Sequence, residues 1–400
     1  MNISRIDEFI KRQEGLSSLG RADIEKMQLE KLNKVLKKEK IRQGFYKDLP
    51  EKLDSLDELQ TLPFTDSEQL REYGFSMLVL SQSEIERVTT EQTSGTTGRA
   101  KRMFYTAGDL ENTVQLFMAG LGEFIFPGSV TYIAMPFSGP GGLGELIAEA
   151  VRRLGAEPLK AGPFLSLGEI KKILEEKKPD TFVGLPETLI FMLRSLGRMS
   201  LRRALISGDA CPDSLTEACE KILGHRLFPH YGSREIALGG AICCPAHEGM
   251  HLRENHVIAE IVDENGSRLP EGEYGELVIT TIGMEAMPLI RYRTGDITRI
   301  FPGKCPCGSE VIRLDKLKRL AAPEILELDE KIFALDSICD YRADKQENKI
   351  HLDCLVKKEL SDKDILSAAA EALPGFEFTA DCEIITPQSK PLYAGKRKLN

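Results

Sequence analysis

The 400 residues, 42% apolar and 29% charged, exceed what one hydrophobic core usually supports, so two or three domains are expected. The net charge of -9 argues against nucleic acid as a partner, because nucleic-acid-binding proteins usually carry a basic excess. No stretch approaches the roughly 20 apolar residues of a membrane span, the first residues lack the apolar core of a signal peptide, and nine cysteines, an odd number, read as reduced thiols; the expectation is a cytoplasmic protein with no membrane partner.

In chain order, Ile24, Met27, Leu32 and Leu36 recur near helical spacing and predict an amphipathic, charge-coated helix over residues 22–40. The middle alternates strands and helices. Val130–Met135 reads as a strand, the glycine-rich run from Ser138 to Gly144 as a loop, and residues 145–154 as a helix. Thr181–Leu185 and Ala204–Ile206 read as further strands, the second running into Ser207-Gly208-Asp209. This succession implies a parallel sheet with ligands held at the loops beyond the strand ends. From about residue 256, Val257–Val262 and Glu276–Thr281 flank Asn265-Gly266, which is hairpin chemistry. Lys349–Val356 reads as a strand and residues 362–372 as a helix. The expected class is therefore α/β, a large N-terminal domain of parallel-type sheets flanked by helices plus a β-rich subdomain, with a small α+β C-terminal lobe. The boundaries fall at 1–60, 61–256, 257–322 and 323–400.

The densest chemistry lies in Thr93-Ser94-Gly95-Thr96-Thr97-Gly98-Arg99-Ala100-Lys101. Glycines let backbone N–H groups approach a ligand, hydroxyls add donors, and the cations answer phosphate charge. It is not a Walker A loop, since Gly98 is not followed by Lys-Ser/Thr. Downstream, His230-Tyr231-Gly232-Ser233-Arg234-Glu235 joins an aromatic face for a base to a carboxylate for Mg²⁺. Asp296 follows a glycine turn, where it can accept from ribose hydroxyls. Gly395-Lys396 presents a glycine-positioned cation.

Together these runs resemble the acyl-adenylate-forming superfamily, in its branch of phenylacetate–CoA ligases and deazaflavin-coenzyme adenylyltransferases. The branch markers are Leu62-Pro63-Phe64-Thr65, Leu70-Arg71, and the run Glu285-Ala286-Met287-Pro288-Leu289-Ile290-Arg291-Tyr292-Arg293-Thr294. The resemblance implies that residues 61–256 form an adenylation core and 323–400 a mobile lobe. It places Thr93, Ser94, Gly95, Thr96, Thr97, Gly98 and Lys101 on the ATP phosphates, and Ser207, Gly208 and Asp209 along the adenine. His230, Tyr231, Gly232, Ser233, Asp296 and Arg313 would complete the nucleotide site. Glu235 would bind Mg²⁺, and Lys396 would stabilise charge on the reacting carboxylate and α-phosphate. Tyr132, Phe137, Gly139, Gly141 and Gly142 would shape the acyl pocket.

Two departures stand out. Arg234 sits where the family usually has Ser or Thr beside the magnesium carboxylate, so its guanidinium either replaces a hydroxyl contact to the AMP phosphate, as a candidate catalytic residue, or weakens metal binding. The family's Gly-Arg-x-x-Asp hinge is absent, and the corresponding residues 313–319 read Arg-Leu-Asp-Lys-Leu-Lys-Arg.

Cys305-Pro306-Cys307-Gly308 is a tight turn aiming two sulfurs at one point, with Cys243-Cys244-Pro245 and His251 upstream. Four soft ligands suit a structural Zn²⁺. The branch resemblance assigns Cys244, His251, Cys305 and Cys307, with Cys243 and His256 as alternatives. The function implied is ATP- and Mg²⁺-dependent activation of a carboxylic acid, then transfer to CoA or another thiol acceptor; a homodimer is compatible with it. Two alternatives stay open, an adenylyltransferase that stops at the AMP adduct or serves a non-CoA acceptor, and a nucleotide-binding regulator that has lost catalysis.

Overall fold

The computed structural model describes residues 3–91, 100–319, 323–358, 360–393, 397 and 399. By its contacts the chain forms two compact units, residues 1–123 with 230–317 and residues 124–229 with 318–400. This division cuts across the four segments expected from the sequence. Each unit is built from two stretches of chain.

In the first unit, helices Arg5–Glu14 and Arg21–Arg42 lie close to residues 251–257. Arg21 makes a two-pronged bond to the buried Glu254, and Gln28 donates to the Glu254 carbonyl. The first 60 residues are thus fastened to the unit rather than standing apart. Strands Arg87–Glu91 and Lys101–Tyr105 form an antiparallel hairpin in which Glu91 faces Lys101. Strands Val257–Val262, Gly275–Thr281 and Tyr292–Thr298 form an antiparallel meander. Its first hairpin closes through Gly266, whose φ of 82° favours glycine. The branch-marker runs meet here. Arg291 makes a two-pronged bond to the buried Glu260, donates to the carbonyls of Gln60 and Leu62, and lies over the Phe64 ring at 4.0 Å. Those motifs hold two distant segments of chain together.

The second unit carries a parallel sheet in the order Glu157–Lys160, Val130–Ala134, Thr181–Gly184, Arg203–Ile206, continuing to Phe228. Helices Leu143–Arg153, Leu167–Lys177, Pro186–Leu196 and Asp213–Leu223 alternate with these strands, as right-handed strand–helix–strand crossovers require. Further along, strands Ile338–Gln346 and Lys349–Val356 pair antiparallel, and Glu377–Ile384 joins parallel after helix Asp362–Ala372. That is the expected α+β lobe, but it does not have a core of its own. Phe182, Leu189, Phe191 and Leu215 share one buried cluster with Leu328, Phe333, Ile338, Tyr341 and Ile365. Buried Arg194 donates to the carbonyls of Phe333, Leu335 and Ile338, closing the seam with charge-assisted bonds. Within this unit the lobe is welded to the parallel sheet.

Candidate active site

The expected site residues fall on both units, and each group is described within its own. Thr93–Gly98 and Lys396 lie outside the described residues.

In the first unit, a hairpin and a bulge do the positioning. The Lys101 ammonium, on the strand that leaves the glycine-rich loop, reaches the Glu235 carboxylate at 2.6 Å and Glu91 at 2.9 Å. Tyr292 donates to the same Glu235 oxygen at 3.3 Å. Burial pushes the Glu235 carboxyl up, but the adjacent ammonium outweighs it and holds the pKa below the ordinary range. Glu235 is thus a charged, buried carboxylate held by a lysine ammonium. Glu91 escaped the sequence reading and Tyr292 entered it only as part of a branch marker, although the alternation of residues 87–91 and 101–105 could have placed Glu91 opposite Lys101.

The turn that carries Glu235 is tightly constrained. Tyr105 donates to the Arg234 carbonyl at 2.7 Å, and a Cβ on Gly232 would come within 2.2 Å of the Leu238 oxygen. Ala237 and Leu238 both adopt positive φ, 51° and 70°, which costs energy for residues with a Cβ. The Arg234 guanidinium is half-exposed, 3.4 Å from Glu91. His230 is buried with its ring 5.0 Å from Phe117, and burial pushes its pKa down to about 3. It is a neutral packing residue of the site wall.

Asp296 owes its place to a bulge. Glu276 faces Ile297 and Val278 faces Arg293, so Thr294, Gly295 and Asp296 together span a single residue of the opposite strand. Gly295 takes φ 74°, its N–H donates to Glu276, and the Thr294 hydroxyl donates to the Leu277 carbonyl. Bulges of this kind re-aim a side chain. The Asp296 carboxylate accepts from the Tyr231 hydroxyl at 3.1 Å, so the expected base-stacking and ribose-binding residues are neighbours.

Arg313, expected at the nucleotide, is elsewhere. It is buried on strand Arg313–Leu314, which pairs with Met250–Leu252, and it donates to the carbonyls of Glu248, Pro302 and Gly303. Its fork braces the loops that carry the cysteines. There the four assigned ligand atoms of Cys244, His251, Cys305 and Cys307 all lie within 4.8 Å of one another. Cys244 Sγ and Cys305 Sγ are 3.8 Å apart, as are Cys307 Sγ and His251 Nε2. A tetrahedron with metal–sulfur bonds of about 2.3 Å puts its sulfurs about 3.8 Å apart. Burial pushes the Cys244 thiol well up, the Cys305 thiol up and His251 down to about 4. A divalent cation would reverse these thiol shifts, so the donor set fits zinc. The alternatives fall away: Cys243 donates to the Cys244 carbonyl, and His256 faces the Arg253 guanidinium at 2.9 Å.

In the second unit, Gly139 and Gly141 take φ of 85° and 72°, and Gly142 caps helix Leu143–Arg153. Half-buried Phe137 lies beside this turn, with Lys160 5.6 Å over its ring. Tyr132 differs from expectation. It is 1% exposed and parallel to Phe182 at 6.1 Å, packed inside the core rather than lining a pocket. Ser207 is buried, and Gly208 has φ 92°. Asp209 is already committed, accepting from Arg319 Nη2 at 2.6 Å and from the main-chain N–H of Arg397. Its carboxylate therefore holds chain segments rather than facing a base.

Comparison with known proteins gives the family. Residues 47–286, well over half the chain, match the family model of the AMP-binding enzyme. The phenylacetate-coenzyme A ligase of Thermus thermophilus is 29% identical over 76% of this chain and 71% of its own. That of Aromatoleum evansii is 31% identical over 67% of this chain and 62% of its own. A crystal structure of 2-hydroxyisobutyryl-CoA ligase in the postadenylation state superposes with a TM-score of 0.76, at 17% identity, over 95% of this chain and 90% of that one. The chain belongs to the AMP-binding enzyme family, that is, to the acyl-adenylate-forming superfamily, on the branch of the phenylacetate–CoA ligases. Membership makes it an enzyme of the AMP-forming acid–thiol ligase class. Among the described residues no helix is long and apolar enough to cross a membrane.

Proposed function

We propose that this enzyme activates a carboxylic acid with ATP as an acyl-adenylate and passes the acyl group to CoA. The observation that carries the reading is the pairing, within one unit, of a Lys101–Glu235–Tyr292 cluster with a bulge-presented Asp296 that meets Tyr231.

Asp296 accepts from the ribose hydroxyls while Tyr231 offers its ring to the base. Lys101 shares its charge between Glu235 and entering phosphate oxygens. Glu235 with those oxygens would hold Mg²⁺, a hard cation suited to a charged carboxylate, whose chemistry is to neutralise the departing pyrophosphate. The carboxylate oxygen of the acid attacks the α-phosphorus, and the bond to pyrophosphate breaks. Lys396 stabilises the charge that develops between carboxylate and α-phosphate. The thiolate then attacks the acyl carbon, AMP leaves, and the thiol proton passes to solvent. Cys244, His251, Cys305 and Cys307 would hold a structural zinc.

One observation favours a second reading. The lobe's fused core and the missing hinge suit an enzyme that stops at the adenylate or serves another acceptor. Labelled pyrophosphate exchange over a panel of aryl and short-chain acids, with and without CoA, separates the two. Exchange with CoA-dependent thioester formation supports the ligase, and exchange with no thioester supports the second reading. ATP binding with no acid-dependent exchange would leave only a nucleotide-binding regulator.

A further inference from the structure

Arg234 directly precedes Glu235 on the short turn Arg234–Ile236, so a guanidinium stands beside the carboxylate proposed to hold Mg²⁺. The hairpin of strands Arg87–Glu91 and Lys101–Tyr105 restrains that residue at two points. Tyr105 donates to the Arg234 carbonyl at 2.7 Å, and Glu91 Oε2 lies 3.4 Å from the guanidinium Nη1. The same Glu91 oxygen is 2.9 Å from the ammonium of Lys101, the residue directly opposite it in the hairpin register. Lys101 and Tyr292 in turn meet Glu235 on one oxygen, Oε1. The cations Lys101 and Arg234 are thus balanced by the carboxylates Glu91 and Glu235. Without Glu91 the same place would carry an excess of positive charge, which opposes the entry of a dication.

We propose that Glu91 is a positioning residue for metal binding, a counter-charge that draws the Arg234 guanidinium away from Glu235 and leaves that carboxylate to Mg²⁺. The proposal rests on the adenylation reading above. Glu91 needs no contact with nucleotide or metal to act in this way, because its effect passes through Arg234. Glu91 is 44% exposed and Arg234 39%, so their ion pair adds little to the stability of the fold. Removing Glu91 leaves Glu235 as the remaining anion of the cluster, and a guanidinium forks readily onto a carboxylate. The Ser or Thr of the family pattern at 234 would need no such partner.

The test measures, by calorimetry, the affinity for a non-hydrolysable ATP analogue with excess Mg²⁺ and in Mg²⁺-free buffer. The ratio of the two affinities reports what the metal contributes and cancels contacts made to the nucleotide alone. Wild type, Glu91→Gln, Arg234→Ser and the double variant Glu91→Gln/Arg234→Ser are compared, with thermal unfolding of each and Glu91→Ala as a second removal of the charge. Glu91→Gln should lower the ratio at least about tenfold, the scale of losing a group that keeps a metal ligand in place. In the Arg234→Ser background the same substitution should lower it by no more than about twofold, because no guanidinium is left to restrain. A parental ratio in Glu91→Gln overturns the proposal. So does an equal loss in both backgrounds, which would make Glu91 only a general source of negative charge. A wild type that binds the analogue equally well without Mg²⁺ overturns the metal role of Glu235 instead, and one that does not bind it overturns the adenylation reading itself.

Discussion

The polar groups around Arg397 and those around Cys305 are both sealed from water, and they differ in what they need from outside. Around Arg397, opposite charges meet and every arm of the guanidinium has an acceptor. Around Cys305, three thiols and an imidazole crowd together, and His251 Nδ1 has no partner among the described residues. Deprotonated, such a set would repel itself, and the zinc proposed above would offset that repulsion. A satisfied cluster is a fastener. An unsatisfied one is a socket. The Lys101–Glu235 pair lies between them, satisfied as it stands but by a cation that the proposed function shares with a phosphate.

The largest expected effect comes from emptying the socket. Protein purified without added zinc should hold close to one zinc per chain by metal analysis. Cys305→Ser should lose it and unfold lower by on the order of 10 °C or more, since structural zinc binding is coupled to folding. A metal-free protein of full stability would erase the contrast drawn above. Next is Lys396→Ala, which should slow acyl-adenylate formation about a hundredfold, the scale of one preorganised electrostatic contact, and leave ATP affinity nearly intact. Single-turnover kinetics with quantified acyl-AMP would check it. Asp296→Ala should weaken ATP binding by about 1.5–3 kcal/mol, the range for hydrogen bonds to a charged group. Calorimetry showing unchanged affinity would remove Asp296 from the nucleotide site.

Much of the fold was legible because the relevant signals are local. The helix over 362–372 and the hairpin at Asn265-Gly266 depend on residues a few positions apart, and both stand where expected. The placements that failed depend on distant partners. Arg313 resembles a ligand-binding arginine until the carbonyls of Glu248, Pro302 and Gly303 surround it. Tyr132 lies on a strand beside a glycine-rich loop, and only the position of Phe182 turns its ring inward. The bulge that aims Asp296 needs a count of residues on two strands at once. The Cys/His cluster was legible because Cys-Pro-Cys-Gly is a local device, and the choice among Cys243, Cys244, His251 and His256 needed only their partners.

The smallest effect expected is a pH dependence. His230 has a folded pKa of about 3, below the usual 6.5 of the unfolded chain. Between those values the unfolded state binds the extra proton, so stability is full above pH 6.5 and falls as the pH drops toward 3. His230→Gln should flatten that acid limb, by about 1–3 kcal/mol after allowing for relaxation of the buried site. Urea melts at pH 7 and 4.5 would show it, and a limb unchanged by the substitution would mean the ring is not buried neutral.

The interleaving of the two units has a consequence for how the chain is made. Residues 1–123 leave the ribosome well before 230–317, which complete their unit, and all of 124–229 must be synthesised in between. During that interval Leu32, Leu36 and Tyr46 lack Ile258, Ile282 and Ile290, with which they form one buried cluster. Exposed apolar surface in a half-made unit invites association with other nascent chains. The proposed zinc ligands sharpen the timing, because the fourth of them is residue 307 and the set cannot close before it emerges. Cells short of zinc should therefore accumulate this protein as aggregate during synthesis, while molecules finished beforehand keep their fold.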